Sequence, residues 1–437
     1  MELQIGIVLL VMVAAYVLAK WLKLSVELSM FAAAAAGGIA GALIRTPPVA
    51  QLPRHLVEGA FTYLDVILVF STATIFMAIL SDSGGVNYVV RGTIKLFYNK
   101  RLVALLLLMV IILIPGALTG AGSVSLLVVG APVAAAFGYL GISKKRAAAI
   151  LFIVAGLSAA APPVNIWAMI LCAGTAIPYV GFELPLGIPV LILGTFTALS
   201  LGLKREESFS LNEVLEKMPE VPEKMSWWRV LLPFLLFFGL VVLSRIFPFR
   251  IPILGLPLEF TLAALVSLVV SPVKINLFEL SRKTMKRLLP LLATMVVVGM
   301  LQQIMTATGV RGLLSFAVIS TPLVFLYLML VLIIPVSEGV LTYGGAAILG
   351  IPLVWFFDSI GLHATVVISG LSLLWPLGDG LPPTALIGRL SVMVSDYRHS
   401  YWSFLRSTWL PWIVITVVAI LMIIFSAQLE FLVRWSM

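Results

Sequence analysis

Ile114-Pro115-Gly116-Ala117-Leu118-Thr119-Gly120-Ala121-Gly122-Ser123 interrupts a long apolar run, and a counterpart stands 220 residues further on: Ile334-Pro335-Val336-Ser337-Glu338-Gly339-Val340-Leu341-Thr342-Tyr343. The correspondence continues without a gap. Gly130 recurs as Gly350, Pro132 as Pro352, Gly141 as Gly361, Leu157 as Leu377, and Pro162-Pro163 as Pro382-Pro383. Most of the repeated residues are helix breakers inside apolar sequence. A helix interrupted at membrane depth frees backbone groups that lipid cannot satisfy, so such breaks persist where they are buried in protein or line a cavity. Paired interruptions in the two halves of a membrane chain point to the binding site of a secondary transporter.

Composition agrees with a membrane setting. The 437 residues are 61% hydrophobic and only 11% charged, where a soluble chain carries about 25%. Apolar runs are long enough to span. The first, residues 3–22, is too long for a cleaved signal peptide and lacks a small-residue cleavage site. A single cysteine, Cys172, excludes an intramolecular disulfide and a cysteine metal cluster. Three dispersed histidines (His55, His363, His399) offer no zinc motif. The net charge of +9 is explained by cytoplasmic loops and requires no nucleic acid.

Lysine and arginine set the topology. The block 102–140 has basic residues at both ends, Lys100 and Arg101 before it and Lys144, Lys145 and Arg146 after it. Basic loops favour the cytoplasm, so this block enters and leaves on one side as a re-entrant hairpin. Threading the chain on that constraint puts 21 of the 28 basic residues inside and six outside (Arg45, Arg54, Arg245, Arg250, Arg311, Arg434), with Arg389 left in a span. The second hairpin, 313–357, then dips in from the opposite face. The expected fold is an all-α polytopic membrane protein with two inverted-topology repeats, each holding a re-entrant hairpin and a crossing helix broken at a proline pair.

The expected organisation follows from this path. Residues 1–58 form N-terminal spans and an interfacial arm. The first repeat is 59–203, with its hairpin at 102–140. A polar cytoplasmic connector, 204–228, leads to further spans and a second arm at 229–287. The second repeat is 288–437, with its hairpin at 313–357.

Enzymatic constellations and a Walker-type phosphate loop are lacking, which leaves binding and moving a solute. The first tip, Thr119-Gly120-Ala121-Gly122-Ser123, mixes glycines with hydroxyls. Its carbonyls and hydroxyls are hard oxygen ligands for a small cation such as sodium, and exposed amides at half-helix N-termini suit a carboxylate. Ser337, Glu338, Gly339 and Thr342 occupy the second tip. Glu338 is an acid within an apolar run, and such residues default to function. At the crossing breaks, proline removes a donor and frees a carbonyl. Ser158 and Gly378 are the expected free carbonyls, joined by Pro162, Asn165 and Thr384. Asp379 has no acidic counterpart, since position 159 is alanine. Arg389 follows the second break and either neutralises an anionic solute or snorkels to the interface.

Residues 60–203, centred on Gly116–Ser123 and Ala161–Asn165, resemble the large permease subunit of TRAP transporters, in the wider ion-transporter superfamily. Gly345–Pro352 and Gly380–Thr384 extend the resemblance to the second half. It implies an elevator-type importer of a small organic acid, often a C4-dicarboxylate, in a prokaryotic inner membrane, driven by a sodium gradient and needing no cofactor. It implies two partners, a small four-helix membrane subunit and a periplasmic solute-binding protein. It places the sodium and solute sites at Gly120–Ser123, Pro162–Asn165, Ser337–Thr342 and Asp379–Thr384. Taken with the reading of the residues, sodium is expected at Thr119, Gly120, Ser158, Pro162, Ser337–Gly339, Thr342, Gly378 and Asp379. Solute would lie against Gly122, Ser123, Asn165, Tyr343, Thr384 and Arg389. The chain departs from the family pattern at Ser337-Glu338-Gly339, at Tyr343 and at Asn165. A stand-alone carboxylate symporter or antiporter of the same superfamily, sodium- or proton-coupled, is the other reading within this class. An intramembrane enzyme or a structural subunit is the reading outside it.

Overall fold

A computed structural model describes residues 2–44, 47–204, 218–247, 250, 252 and 254–436. Arg45 and residues 205–217 of the connector lie outside the described residues. The described chain is all-helical. Among the described residues nine helices are long and apolar enough to cross a membrane, or ten if a pair bent by 53° at Ser407–Trp409 counts as one span.

The first part runs α1 (Glu2–Trp21), α2 (Val26–Ile44), α3 (Leu52–Phe61), α4 (Leu64–Asp82) and α5 (Gly85–Phe97). The first hairpin is α6 (Arg101–Thr119) and α7 (Gly122–Tyr139). The first crossing segment is α8 (Lys144–Ala160) and α9 (Ile166–Thr175), followed by α10 (Glu183–Gly202). Then come α11 (Trp227–Ile246), α12 (Leu256–Val270), α13 (Leu277–Ala307) and α14 (Val310–Ser320). The second hairpin is α15 (Leu323–Leu341) and α16 (Ala346–Ser359). The second crossing segment is α17 (Ala364–Gly378) and α18 (Leu386–Val394). Last are α19 (Tyr401–Ser407), α20 (Trp409–Ile424) and α21 (Glu430–Ser436).

The 220-residue period is visible in three dimensions. Each returning hairpin leg carries a π-helical turn, at Leu126–Gly130 and at Ala346–Gly350. Each hairpin then leaves through a glycine in the left-handed region, Gly141 (φ 75°) and Gly361 (φ 88°), a conformation glycine adopts without Cβ strain. Each crossing segment is interrupted at a cis proline pair, Pro162-Pro163 and Pro382-Pro383.

Contacts at the segment ends show that the repeats are inverted. Lys144 opens the first crossing segment, and its ammonium lies 2.7 Å from Asp396, just past the end of the second. On the same face Arg101, at the mouth of the first hairpin, donates to the carbonyls of Leu140 and Gly202. At the other face Arg311 donates to the Gly174 carbonyl at the end of α9, 2.7 Å away, and lies over the Trp355 ring near the mouth of the second hairpin. The two crossing segments therefore run antiparallel.

The sequence explains why α8 and α17 sit at the centre. Ala147 to Ala160 are all buried, and so are Thr365 to Gly378. A helix apolar on every side belongs in the interior. The two half-helices approach each other at Gly156 and Pro376, next to both breaks. Lipid-facing leucines and valines are exposed on α1 and α11.

Two boundaries differ from the sequence reading. The second hairpin begins at Leu323, because residues 313–320 belong to the separate helix α14, the counterpart of α5. The expected second arm is no separate element either. Most of 274–287 forms the first turns of α13, whose 31 residues extend ~46 Å at ~1.5 Å each. Nothing between Leu277 and Leu288 breaks the helix, whereas α3 and α4 are parted at Thr62-Tyr63.

Candidate functional site

Both hairpin tips reach the proline breaks. Helix α6 ends at Gly120, which takes φ 71° and leaves carbonyls of the last turn without intrahelical partners. One of these, on Ala117, accepts from the Val164 amide across the break at 3.0 Å. The second repeat does the same. The Gly339 carbonyl accepts from the Thr384 amide at 3.2 Å and from the Thr384 hydroxyl at 2.9 Å. Val164 and Thr384 are related by the repeat, so each hairpin is fastened to the residue that follows its own proline pair.

A tyrosine further along the chain braces each break. The Tyr179 hydroxyl donates to the Pro163 carbonyl at 3.1 Å and accepts from the Asn165 amide at 3.0 Å. The Tyr401 hydroxyl donates to the Gly380 carbonyl at 2.7 Å.

The carbonyls expected to be free are engaged. Ala161 N–H donates to Ser158 at 3.2 Å, and Leu381 N–H donates to Gly378 at 2.8 Å. The backbone turns tightly as it leaves each half-helix, so these donors replace the ones the prolines removed. Asn165 is fully buried, and its side chain is engaged at both ends. Its Oδ1 caps α9 by accepting from Ala168 N–H at 3.0 Å, and its Nδ2 donates to the Ala160 carbonyl at 3.0 Å. It splints the two halves of the broken crossing segment.

The hydroxyls are mostly turned onto local backbone. Thr119 donates to Pro115, Ser158 to Ala155, Ser337 to Ile334 and Thr342 to Leu341. Gly122 is pressed on the Ala155 backbone, and Ser123 beside it is buried. Pro162 is half-buried and lines an apolar groove.

The charged part of the site belongs to the second repeat alone. Glu338 is 1% and Asp379 is 6% exposed. Glu338 Cβ approaches Gly378, the neighbour of Asp379, so the two buried acids share one region of the interior. Glu338 Oε2 accepts from Trp167 Nε1 at 3.0 Å. Asp379 has no side-chain hydrogen bond among the described residues, and neither acid has a basic partner among them. Arg389 in particular does not pair with Asp379. It is exposed, and its guanidinium donates to the Pro383 carbonyl at 2.9 Å. Its helix turns it towards a cavity of about 360 Å³ bordered by Asp396, Arg398 and Tyr401.

The tips of the two hairpins meet. Tyr343 reaches across to the Gly120 carbonyl at 3.5 Å, and its ring packs on Trp167 with centroids 5.4 Å apart. Glu338, Asp379, Tyr343 and Trp167 thus form one polar cluster between the half-helices. Thr384 lies at its edge through Gly339. Trp167, Tyr179 and Tyr401 carry no signal in the sequence alone. They lie in segments with no polar periodicity, and the repeat gives no warning, since positions 387 and 399 are Ile and His.

A likeness to a solved structure bears on this arrangement. The crystal structure of the YdaH transporter of Alcanivorax borkumensis, described as having an unusual topology, superposes with a TM-score of 0.58 over 86% of this chain and 87% of that one, at 15% identity. The two chains share a fold. The solved structure that shows this is not a TRAP permease, so the TRAP resemblance remains one of sequence pattern. No family model and no curated protein matches the sequence.

Proposed function

We propose that this multi-pass protein is a secondary active transporter that carries a small organic acid of the C4-dicarboxylate kind across a prokaryotic inner membrane, driven by a sodium gradient. The observation that carries this reading is the buried pair Glu338 and Asp379, beside the meeting hairpin tips and without a basic partner among the described residues. Taking an ion out of water costs several kcal/mol. A positive charge must therefore accompany the two carboxylates when both are ionised. The Ser337 and Thr342 hydroxyls, which donate to local carbonyls and keep oxygen lone pairs, suit a hard cation. Carboxylate binding is assigned to the first break, which has no acid of its own, and to the N-terminus of α9, whose dipole favours an anion.

In this proposal the hairpins and broken crossing segments move as one elevator body. Helices α1–α3 and α11–α13 form the scaffold. The TRAP-type form adds a four-helix membrane subunit and a periplasmic solute-binding protein, and co-purification of those two partners tests it.

A second reading, proton coupling, is favoured by the same pair. Two interacting carboxylates titrate as a unit and can hold one proton between them. A thermal-shift screen of purified protein against organic acids, in sodium and in potassium, tests both. A shift that needs sodium supports the first reading. An equal shift in potassium rejects sodium coupling.

A further inference from the structure

A groove of about 470 Å³ lies between the first repeat and α11, and all of its lining residues are apolar. It opens sideways, where Ile114, Leu191, Leu231 and Phe238 are exposed. On α11 the lining positions Trp227, Val230, Leu231, Phe234 and Phe238 form one stripe. That stripe is ~16 Å long at ~1.5 Å per residue, about half of a hydrocarbon core ~30 Å thick. The groove therefore has the depth of one leaflet. Its inner end is Pro162-Pro163 and its outer end is Trp227, on the basic face of the protein.

The outer end is built like a membrane interface. The Trp227 ring packs edge-on against Tyr88, with centroids 5.2 Å apart, and borders Gly92. Both partners lie on α5, a short amphipathic helix. Tryptophan and tyrosine settle at headgroup level. Beside them α5 carries Arg91 and Lys95. Among the described residues Arg91 makes a single long 3.5 Å bond, to the Met218 carbonyl, and Lys95 is exposed. The acidic connector residues Glu220 and Glu223 flank Pro222, which meets α5 at its other end, at Gly84.

We propose that this groove is a binding site for one anionic phospholipid of the basic-side leaflet, with an acyl chain along α11 and the headgroup at Lys95 and Arg91. A hydrophilic solute finds no polar partner along these walls. An acyl chain needs none, and it enters from the side on which the groove is open. Basic residues at the surface add attraction for an anionic headgroup. The chain end would abut Pro162, so the lipid would buttress the first break. This proposal does not depend on the identity of the solute or the ion.

Native mass spectrometry of protein purified in mild detergent tests it, together with melting temperature after delipidation and addition of phosphatidylglycerol or phosphatidylcholine. The expected result is one retained phosphatidylglycerol per chain and a larger rise in melting temperature with phosphatidylglycerol. Ile114→Trp and Leu231→Trp, which fill the groove from its open side, should lose the adduct and the rise. Their melting in lipid-free detergent serves as the folding control. Lys95→Gln with Arg91→Gln should keep a bound lipid and lose the preference between the two. Retention unchanged by both tryptophan variants, equal stabilisation of the wild type by the two lipids, or a non-lipid adduct in their place would overturn the proposal.

Discussion

Replacing Asn165 by alanine distinguishes a splint from a solute ligand. The side chain makes two hydrogen bonds of 3.0 Å in a fully buried position. Within membrane proteins such bonds contribute ~0.6 kcal/mol on average and up to ~1.7. The alanine variant also strands the Ala168 amide and the Ala160 carbonyl, and a buried group left unpaired costs about 1–3 kcal/mol. Two stranded groups therefore give a loss of ~2–6 kcal/mol, which already contains the lost bonds. Asn165→Asp should be at least as damaging. It keeps the acceptor that caps α9, but turns an oxygen towards the Ala160 carbonyl and buries a charge. Equilibrium unfolding in mixed micelles titrated with a denaturing detergent reads the loss. A ligand-induced thermal shift on the same samples reads binding. An Asn165→Ala protein within ~0.5 kcal/mol of wild type that has lost the shift would refute the splint and return Asn165 to the solute.

Other outcomes follow from the same geometry. Arg389→Gln should leave melting unchanged, because its one bond among the described residues lies at the exposed surface, and should leave the shift by organic acids intact, because the carboxylate is assigned to the first break; loss of the shift with melting unchanged would move the anion to Arg389. The Asp396 carboxyl is held below its ordinary value by hydrogen bonds from Lys144 and then Arg398. A depressed value means the contribution is present at neutral pH and disappears as pH falls through the folded-state value, below the usual carboxylate range. Melting temperature should therefore lose this increment only in strong acid, and Asp396→Asn should erase the difference. Cys172 is the sole cysteine in the chain and is buried, so single-cysteine variants on a Cys172→Ala background report topology. Positions 144 and 311 should label from opposite faces, and labelling from one face would refute the inverted arrangement.

Breakers made much of the fold legible. Gly130 and Gly350, Pro132 and Pro352, and the two proline pairs recur at one spacing because each must end or bend a helix at the same depth in an inverted copy. The hairpins and broken crossing segments follow from these residues and the basic loops. The site was less legible. Glu338 and Asp379 stand out as acids in apolar sequence, but their neighbours come from far away. Trp167 lies 171 residues from Glu338, Gly120 lies 223 from Tyr343, and Tyr16, whose hydroxyl donates to the Val340 carbonyl, lies 324 from it. Contacts of that separation leave no local pattern. The engagement of the Ser158 and Gly378 carbonyls is illegible in sequence for a different reason. Proline does free a carbonyl, but the turn that follows supplies a new donor, and only the folded backbone reveals it.

The most direct test of ion coupling needs no knowledge of the solute. Proteoliposomes adsorbed on a supported membrane are given a sodium jump at constant pH and then a pH jump at constant sodium, with wild type, Glu338→Gln and Asp379→Asn compared. Binding of a cation at the Glu338–Asp379 pair predicts a transient charge displacement in the wild type on the sodium jump, reduced or absent in both variants while each still folds. Displacement on the pH jump alone would select the proton. A wild type silent to both jumps, or variants that respond as fully as the wild type, would contradict the account.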